Sequence, residues 1–411
     1  MTGSRYRWVI LATGAVGAGA FSALRMGLPS LGPAVRSEYG LTLGEVGLAF
    51  AAVTAGGMLT LVPWGALTDR IGERPVMFAG LTGSALALLG VAVASSYPVL
   101  LLGLLAAGML GASATGASGR AVMGWFARDE RGFALGIRQM ALPLGGALAS
   151  VTLPSLAGAH GLRAAFIALA GLSVSAALAA ALLMRDPPPS ATRLAPVPSP
   201  PPTRDRRLWR LGAGGALLVC AQASMLGFIV LFLHDARGVS AAGAAAALGV
   251  VQLVGAGMRI VAGRRSDREG LRIAPLRRIA GRNAVLLAAL GALAGGPGVL
   301  LYPVLALAAV STMSWNGLAF TAAAEISGRA RAGTAMSFQN TVISIGGVLA
   351  PTAFGVLVEA TSWTAAYVVL ALAPLVAFAV LAPLEGEEDE RAAARAVRRR
   401  ETPEPRPVEA T

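Results

Sequence analysis

Twelve stretches of this chain are apolar for long enough to cross a bilayer, and no other feature narrows its fold as far. A spanning helix needs about 20 mostly apolar residues. Such runs lie near Trp8–Leu28, Val46–Pro63, Pro75–Ala94, Val99–Gly119, Phe133–Leu156 and Arg163–Leu183. After a break they resume near Trp209–Leu233, Ala241–Ala262, Ile279–Ala294, Val299–Thr321, Gly333–Val358 and Trp363–Leu381. The ninth and tenth runs are the least distinct, because only Gly295–Gly298 separates them. A soluble amphipathic helix would show a polar face, and these runs lack one. Composition agrees, since only 13% of the 411 residues are charged against roughly 25% in a soluble protein. Arg7 and Trp8 read as an interface anchor rather than part of a cleaved signal peptide. The predicted class is an all-α membrane protein.

Charge placement orients the spans. The chain has 34 basic residues, all arginine, and 21 acids, for a formal net charge of +13. With the N-terminus in the cytoplasm, 21 arginines fall in the N-terminal segment and cytoplasmic connections, Arg277, Arg278 and Arg282 among them. Three, Arg36, Arg163 and Arg237, fall on the opposite side, and six lie in the C-terminal tail. This bias predicts a multi-pass protein of the cell membrane with both termini cytoplasmic. It also makes nucleic acid an unnecessary partner; the bilayer is the expected one. The single Cys220 excludes a disulfide framework. With His160 and His234 far apart in outer loops, no metal site and no cofactor are expected.

Two segments read as something other than spans. Asp186–Asp205 holds eight prolines, which makes residues 186–208 an extended cytoplasmic linker. Residues 385–411 open with an acidic run, pass through Arg398–Arg400 and read as a disordered or weakly helical tail. What remains is two six-span units, 1–185 and 209–384. They repeat each other. Gly65-x-x-x-Asp69-Arg70 returns 198 residues later as Gly263-x-x-x-Asp267-Arg268. Gly132-x-Ala134 returns as Gly333-x-Ala335, Gly145-Gly146 as Gly346-Gly347, and Ala164-Ala165-Phe166 as Ala365-Ala366-Tyr367, all at an offset of 201. Duplicated units suit alternating access, with a substrate held between the halves near mid-membrane.

The run Gly65-Ala66-Leu67-Thr68-Asp69-Arg70-Ile71-Gly72-Glu73-Arg74 resembles the signature loop between spans two and three of the major facilitator superfamily. The resemblance implies twelve transmembrane helices in two pseudo-symmetric six-helix bundles. It also implies that Gly65, Asp69, Arg70, Gly72 and Arg74, with Gly263, Asp267 and Arg268 in the second half, govern the conformational change. Asp69 is suited to accept hydrogen bonds from a facing helix N-terminus or to pair with an arginine.

Four arginines remain inside the runs: Arg25, Arg120, Arg138 and Arg259. No acid lies inside any of them; Glu45 and Glu325 stand at ends. A charge at the bilayer centre costs at least ~2.5–3.5 kcal/mol, and four cations without a buried acid favour an anionic ligand. The guanidinium fork also matches a carboxylate in a bidentate manner. Arg259 lies eight residues before Asp267, or ~12 Å along a helix, which places it near mid-membrane. Its setting, Gly255-x-x-x-Arg259-x-x-x-Gly263-x-x-Ser266-Asp267-Arg268, resembles the eighth span of nitrate, oxalate–formate and monocarboxylate transporters. The resemblance implies that Arg259 binds the anion. Leu61 stands where nitrate carriers have a matching arginine, and Phe338, Gln339 and Asn340 where oxalate carriers have a lysine. Those two substrates are therefore disfavoured. Arg25 resembles the arginine of the Asp-Arg pair in anion:cation symporters, with Leu24 in place of the Asp. Trp125-Phe126-Ala127-Arg128-Asp129-Glu130-Arg131-Gly132 resembles a loop of the same symporters and of cyanate-type permeases. Arg138 opens the fifth span. Arg120 reads as a side chain that snorkels to the cytoplasm.

The symporters' fourth-span Glu and upstream Arg are missing, with Gly111 and Leu104 near those positions. No proton carrier is evident in the membrane. Exchange or facilitated movement then stands beside proton coupling, so the second partner is a proton or a counter-anion. Neutral pocket candidates are Gln222, Phe228, Gln252, Trp315, Asn316, Gln339 and Asn340, all in the second half. The reading is a monomeric carrier of a small organic anion, a carboxylate by preference, that rocks between two open states. Arg259 holds the anion with help from Arg25 or Arg138. The alternatives are a multidrug or metabolite efflux carrier of the same superfamily, a membrane sensor or regulator, and a membrane enzyme. Drug cations are disfavoured by the lack of a membrane acid, and an enzyme by the lack of any nucleophile–base or metal constellation.

Overall fold

The structure, a computed structural model, describes residues 3–126, 130–185, 204–327 and 332–401. Most of the proline-rich linker and the end of the tail lie outside the described residues, as do Arg128, Asp129, Arg193, Arg329 and Arg331. The described chain is helical throughout and contains no strand. Eleven helices are long and apolar enough to cross a membrane: Arg5–Tyr39, Leu43–Ile71, Glu73–Ala92, Tyr97–Trp125, Ala134–His160, Leu162–Leu183, Arg206–Ala236, Ala241–Glu269, Gly298–Ser327, Thr334–Ala360 and Trp363–Glu390. Ile273–Leu293 is the twelfth. We number them as spans one to twelve in chain order, which makes Ile273–Leu293 span nine.

The helix ends follow local chemistry. Span two opens on a capping box, in which Thr42 Oγ1 accepts from the Glu45 amide and the Glu45 carboxylate accepts from the Thr42 amide. Asp205 and Ser240 cap spans seven and eight more simply, each accepting a backbone N–H, of Arg207 and Gly243, without a reciprocal bond. Span two ends at Gly72, whose backbone (φ 88°, ψ 171°) is open essentially only to glycine. That conformation is a physical reason for this glycine of the signature loop.

Spans four and ten are both broken near their middle. Span four runs as Tyr97–Gly111 and Ser113–Trp125, and span ten as Gly298–Thr312 and Asn316–Ser327. The first pieces match at an offset of 201, so the duplication extends to the breaks. A broken helix leaves carbonyls without helical partners. Thr60 Oγ1 and Trp64 Nε1 of span two both donate to Met109 O, at 2.7 Å each. In the second half, Arg259 Nε of span eight donates to Met313 O at 2.8 Å.

Two boundaries differ from the sequence reading. Span nine begins at Ile273, so Arg277 and Arg278 join Arg282 in the helix and do not belong to a connection. Each has partners there. Arg277 donates to Phe378 O and pairs with Glu385, Arg278 pairs with Glu269, and Arg282 donates to Ser311 Oγ and Ser314 Oγ. The helix of span twelve also continues to Glu401, so residues 385–401 are helical rather than disordered. Its acidic run has a task that composition did not show. The Glu388 carboxylate accepts from the amides of Arg272, Ile273 and Ala274 and so caps span nine.

The halves meet mainly toward the face opposite the termini. Arg36 pairs with Asp235 at 2.5 Å, and the Leu43 amide donates to Glu359 at 2.9 Å. Spans two and eleven approach backbone to backbone, because a Cβ on Gly47 would stand 2.4 Å from Pro351 O and one on Gly355 would stand 2.3 Å from Leu43 O. Gln252 of span eight donates to Met26 O at 3.2 Å and to Ser150 Oγ at 3.0 Å. These polar links between halves lie from the level of the central cavity outward to that face.

Candidate functional site

A cavity of about 600 Å³, counted with the open space at its mouth, lies between the halves. Span one contributes Arg25, Met26 and Pro29, and span two Phe50 and Thr54. Span seven contributes Val219, Gln222, Ala223, Leu226 and Gly227, and span eleven Gly347 and Pro351. Pro29 sits in a short 3-10 turn, Leu28–Leu31, that interrupts span one just after Arg25. Arg25 is the one charged side chain among the twelve lining residues, and none is acidic. It is exposed although it lies deep in the bundle, because it faces this cavity.

Arg259 and Arg25 stand on neighbouring helices, since Gln252, seven residues before Arg259 on span eight, donates to Met26 O beside Arg25, although Arg259 is not itself one of the lining residues. Its Nε is committed to Met313 O, while its Nη2 is buried without a hydrogen-bond partner. A buried donor left unmade costs about 1–3 kcal/mol, and more for a charged group. The unfilled position marks where an acceptor would be stabilised.

Gln222 lines the cavity and accepts from the buried Trp315 indole at 3.1 Å. Gln252 is fully buried in the inter-half link to Met26 and Ser150 and outside the lining, with its Oε1 unpartnered. Arg138 is placed differently. Its Nη1 donates to Ser118 Oγ at 3.1 Å, and its Nη2 to Gln139 Oε1 at 3.1 Å. It therefore packs on span four and is not a lining residue. Gln339 stands 201 residues after Arg138 and is fully buried with both amide atoms unpartnered. Ala319 occupies the position that repeats Ser118, so the partner is missing from the second half. Asn316 and Asn340 are half-buried and outside the lining. Phe228 packs in an aromatic cluster with Phe50, Phe354 and Trp363.

The signature-loop residues lie together at the termini face. Arg120 extends toward the termini face and is partly exposed there. It contacts Asp69 at 2.7 Å and Glu73 at 3.3 Å, an arrangement the sequence reading missed for Arg120 and allowed for Asp69. Asp267 pairs with Arg272 at 2.6 Å, and Arg272 also reaches Glu325 at 2.9 Å. Arg70, Arg74 and Arg268 are exposed. Gly65 and Gly263 have nothing within 4 Å of where a Cβ would stand. Met26, Pro29, Phe50 and Thr54 escaped the sequence search, which looked for polar residues and so favoured the second half. Gly27 and Pro29, helix breakers just after Arg25, are a sequence signal for Met26 and Pro29, whereas Phe50 and Thr54 carry none.

This fold and cavity are those of a membrane transporter, and the chain belongs to the Major Facilitator Superfamily, whose profile matches residues 10–351. It is 35% identical over 383 residues to an uncharacterized MFS-type transporter of Mycobacterium tuberculosis, covering 92% of this chain and 85% of that one. It is 27% identical over 365 residues to a probable sulfoacetate transporter of Cupriavidus necator, covering 82% and 84%. Among solved structures, a bacterial homolog of the human lysosomal transporter Spinster, inward-facing and occupied, superposes with a TM-score of 0.77 at 17% identity, covering 92% and 95%. The human organic anion transporter MFSD10 superposes with a TM-score of 0.69 at 19% identity, covering 93% and 100%. At these identities the two structures speak to the fold.

Proposed function

We propose that this transporter moves a small organic anion across the cell membrane by alternating access, with both termini in the cytoplasm. The observation that carries the reading is electrostatic. The inter-half cavity holds one lining arginine and no lining acid, with a second arginine, Arg259, on the neighbouring span eight. In a low-dielectric site an uncompensated guanidinium is unfavourable, and an anionic substrate supplies the missing charge. The sulfoacetate named for the Cupriavidus necator relative belongs to that class. With the halves joined toward the face opposite the termini, the conformation is the inward-facing one. Anion entry and closure on the cytoplasmic side would then break the Arg36–Asp235 and Leu43–Glu359 links. Thermal-shift titration of the purified protein with small carboxylates and sulfonates, against hydrophobic cations, tests the reading. Anions should stabilise the wild type, and Arg259→Ala should weaken that by about tenfold or more, the value of one charged hydrogen bond. Equal stabilisation of both proteins sinks the role of Arg259, and a preference for cations sinks the substrate class.

A further inference from the structure

We infer that the substrate carries two separated negative groups, one for Arg25 and one for Arg259, and that singly charged anions are poor ligands. The inference rests on the organic-anion reading above and narrows it.

The charge inventory of the spans leads to it. Three other arginines within the helices have their charge or at least two of their donors answered from within the protein, although Arg138 Nε is buried without a hydrogen-bond partner. Arg120 has Asp69 and Glu73. Arg138 has Ser118 and Gln139. Arg282 has Ser311 and Ser314. Arg25 has no hydrogen bond or ion pair among the described residues, and Arg259 has one, leaving its Nη2 buried and empty. The two like charges stand on adjacent spans, which are joined where Gln252 donates to Met26 O beside Arg25. The cavity walls offer no acid, and Gln222, their amide, already accepts from Trp315.

A lone carboxylate or sulfonate satisfies one guanidinium fork. It leaves the second charge unanswered. While the cavity is open, water and salt screen that charge. When the halves close, the water leaves and the charge must be carried into a medium of low dielectric. The two arginines also belong to opposite halves, Arg25 to span one and Arg259 to span eight. An anion with two heads therefore bridges the moving bodies and offsets their repulsion in the step that requires it. A one-headed anion would bind to one half and leave the halves repelling.

The test uses the full chain in detergent at constant ionic strength. Half-saturation in thermal shift is measured for matched pairs, butyrate against succinate and ethanesulfonate against sulfoacetate, on the wild type, Arg25→Gln and Arg259→Gln. The wild type should prefer the dianion of each pair by about tenfold or more, as expected for a second charged contact. In either variant the preference should fall to within about twofold. Equal binding of monoanions and dianions by the wild type overturns the inference and leaves the organic-anion reading standing. Stabilisation by hydrophobic cations alone, or by no anion, overturns both. If a variant fails to fold, the wild-type ratio decides.

Discussion

The contact between spans two and eleven gives a way to pry the transporter open from one side. Replacing Gly47 by alanine adds a Cβ that would stand 2.4 Å from Pro351 O and 2.9 Å from the Thr352 Cα. Ordinary contact begins near 3.4 Å, so the two backbones must part by about 1 Å, and neither is the flexible end of a side chain. Overpacking of this kind costs about 1–3 kcal/mol. The penalty falls only on the conformation in which the halves touch on this face. The better helix propensity of alanine, about 1 kcal/mol, is felt in both conformations and cancels. The substitution should therefore multiply the ratio of opened to closed outer face by about 5–150. Spin labels on Cys placed at the exposed Ser37 and Ala242, in a Cys220→Ala background, report the separation of spans one and eight at that face. Gly90→Ala is the control, since nothing lies within 4 Å of its Cβ position. Gly47→Ala should lengthen the distance distribution and Gly90→Ala should not. A folded Gly47→Ala protein with an unchanged distribution would refute the wedge and the role of this contact as the outer seal.

Two further expectations concern the helix caps. The Arg207 side chain, with backbone amides of Arg207 and Leu208, holds the Asp205 carboxyl below its ordinary pKa. A depressed carboxylate stabilises above its unfolded pKa, and the effect disappears as pH falls through the folded value. Thermal melts should show Asp205→Ala less stable by about 1 kcal/mol at pH 7, with the gap shrinking only below the usual carboxylate range of about 4. Glu388→Gln should loosen the start of span nine, and hydrogen exchange at the Ile273 and Ala274 amides should speed up by about tenfold. Unchanged exchange would mean that the acidic run is not the cap.

How much of this was legible in the sequence follows from the range of each interaction. Hydropathy is local, and it found all twelve spans, even the pair divided near Gly295–Gly298. The repeat offset of 201 survived into the breaks of spans four and ten because duplicated segments keep their lengths. Span nine was cut short because its first turns are rich in arginine, and their neutralising partners, Glu385 and Glu269, lie on other helices. The acidic partners of Arg120 were missed for the same reason, since Glu73 and Asp69 reach it from about 50 residues earlier in the chain. For Arg138 the deciding partner is Ser118, a residue that carries no signal by itself. Arg25 and Arg259 stood out in sequence because they are charged in apolar runs. Their closeness depends on the packing of spans one and eight and could not be read from either.

The arginines of span nine also bear on how the chain enters the bilayer during synthesis. An arginine near the centre of a helix opposes insertion by about 2.5–3.5 kcal/mol, and Ile273–Leu293 carries Arg277, Arg278 and Arg282. The groups that answer two of these charges are made later, Ser311 and Ser314 in span ten and Glu385 near the end of span twelve. The carboxylate that caps its first turn, Glu388, comes later still. When span nine leaves the ribosome it is therefore a poor guest for lipid. Its place in the bundle is secured from behind, by helices and an acidic segment that follow it out, so Glu385 and Glu388 settle the membrane fate of a helix completed about 90 residues before them.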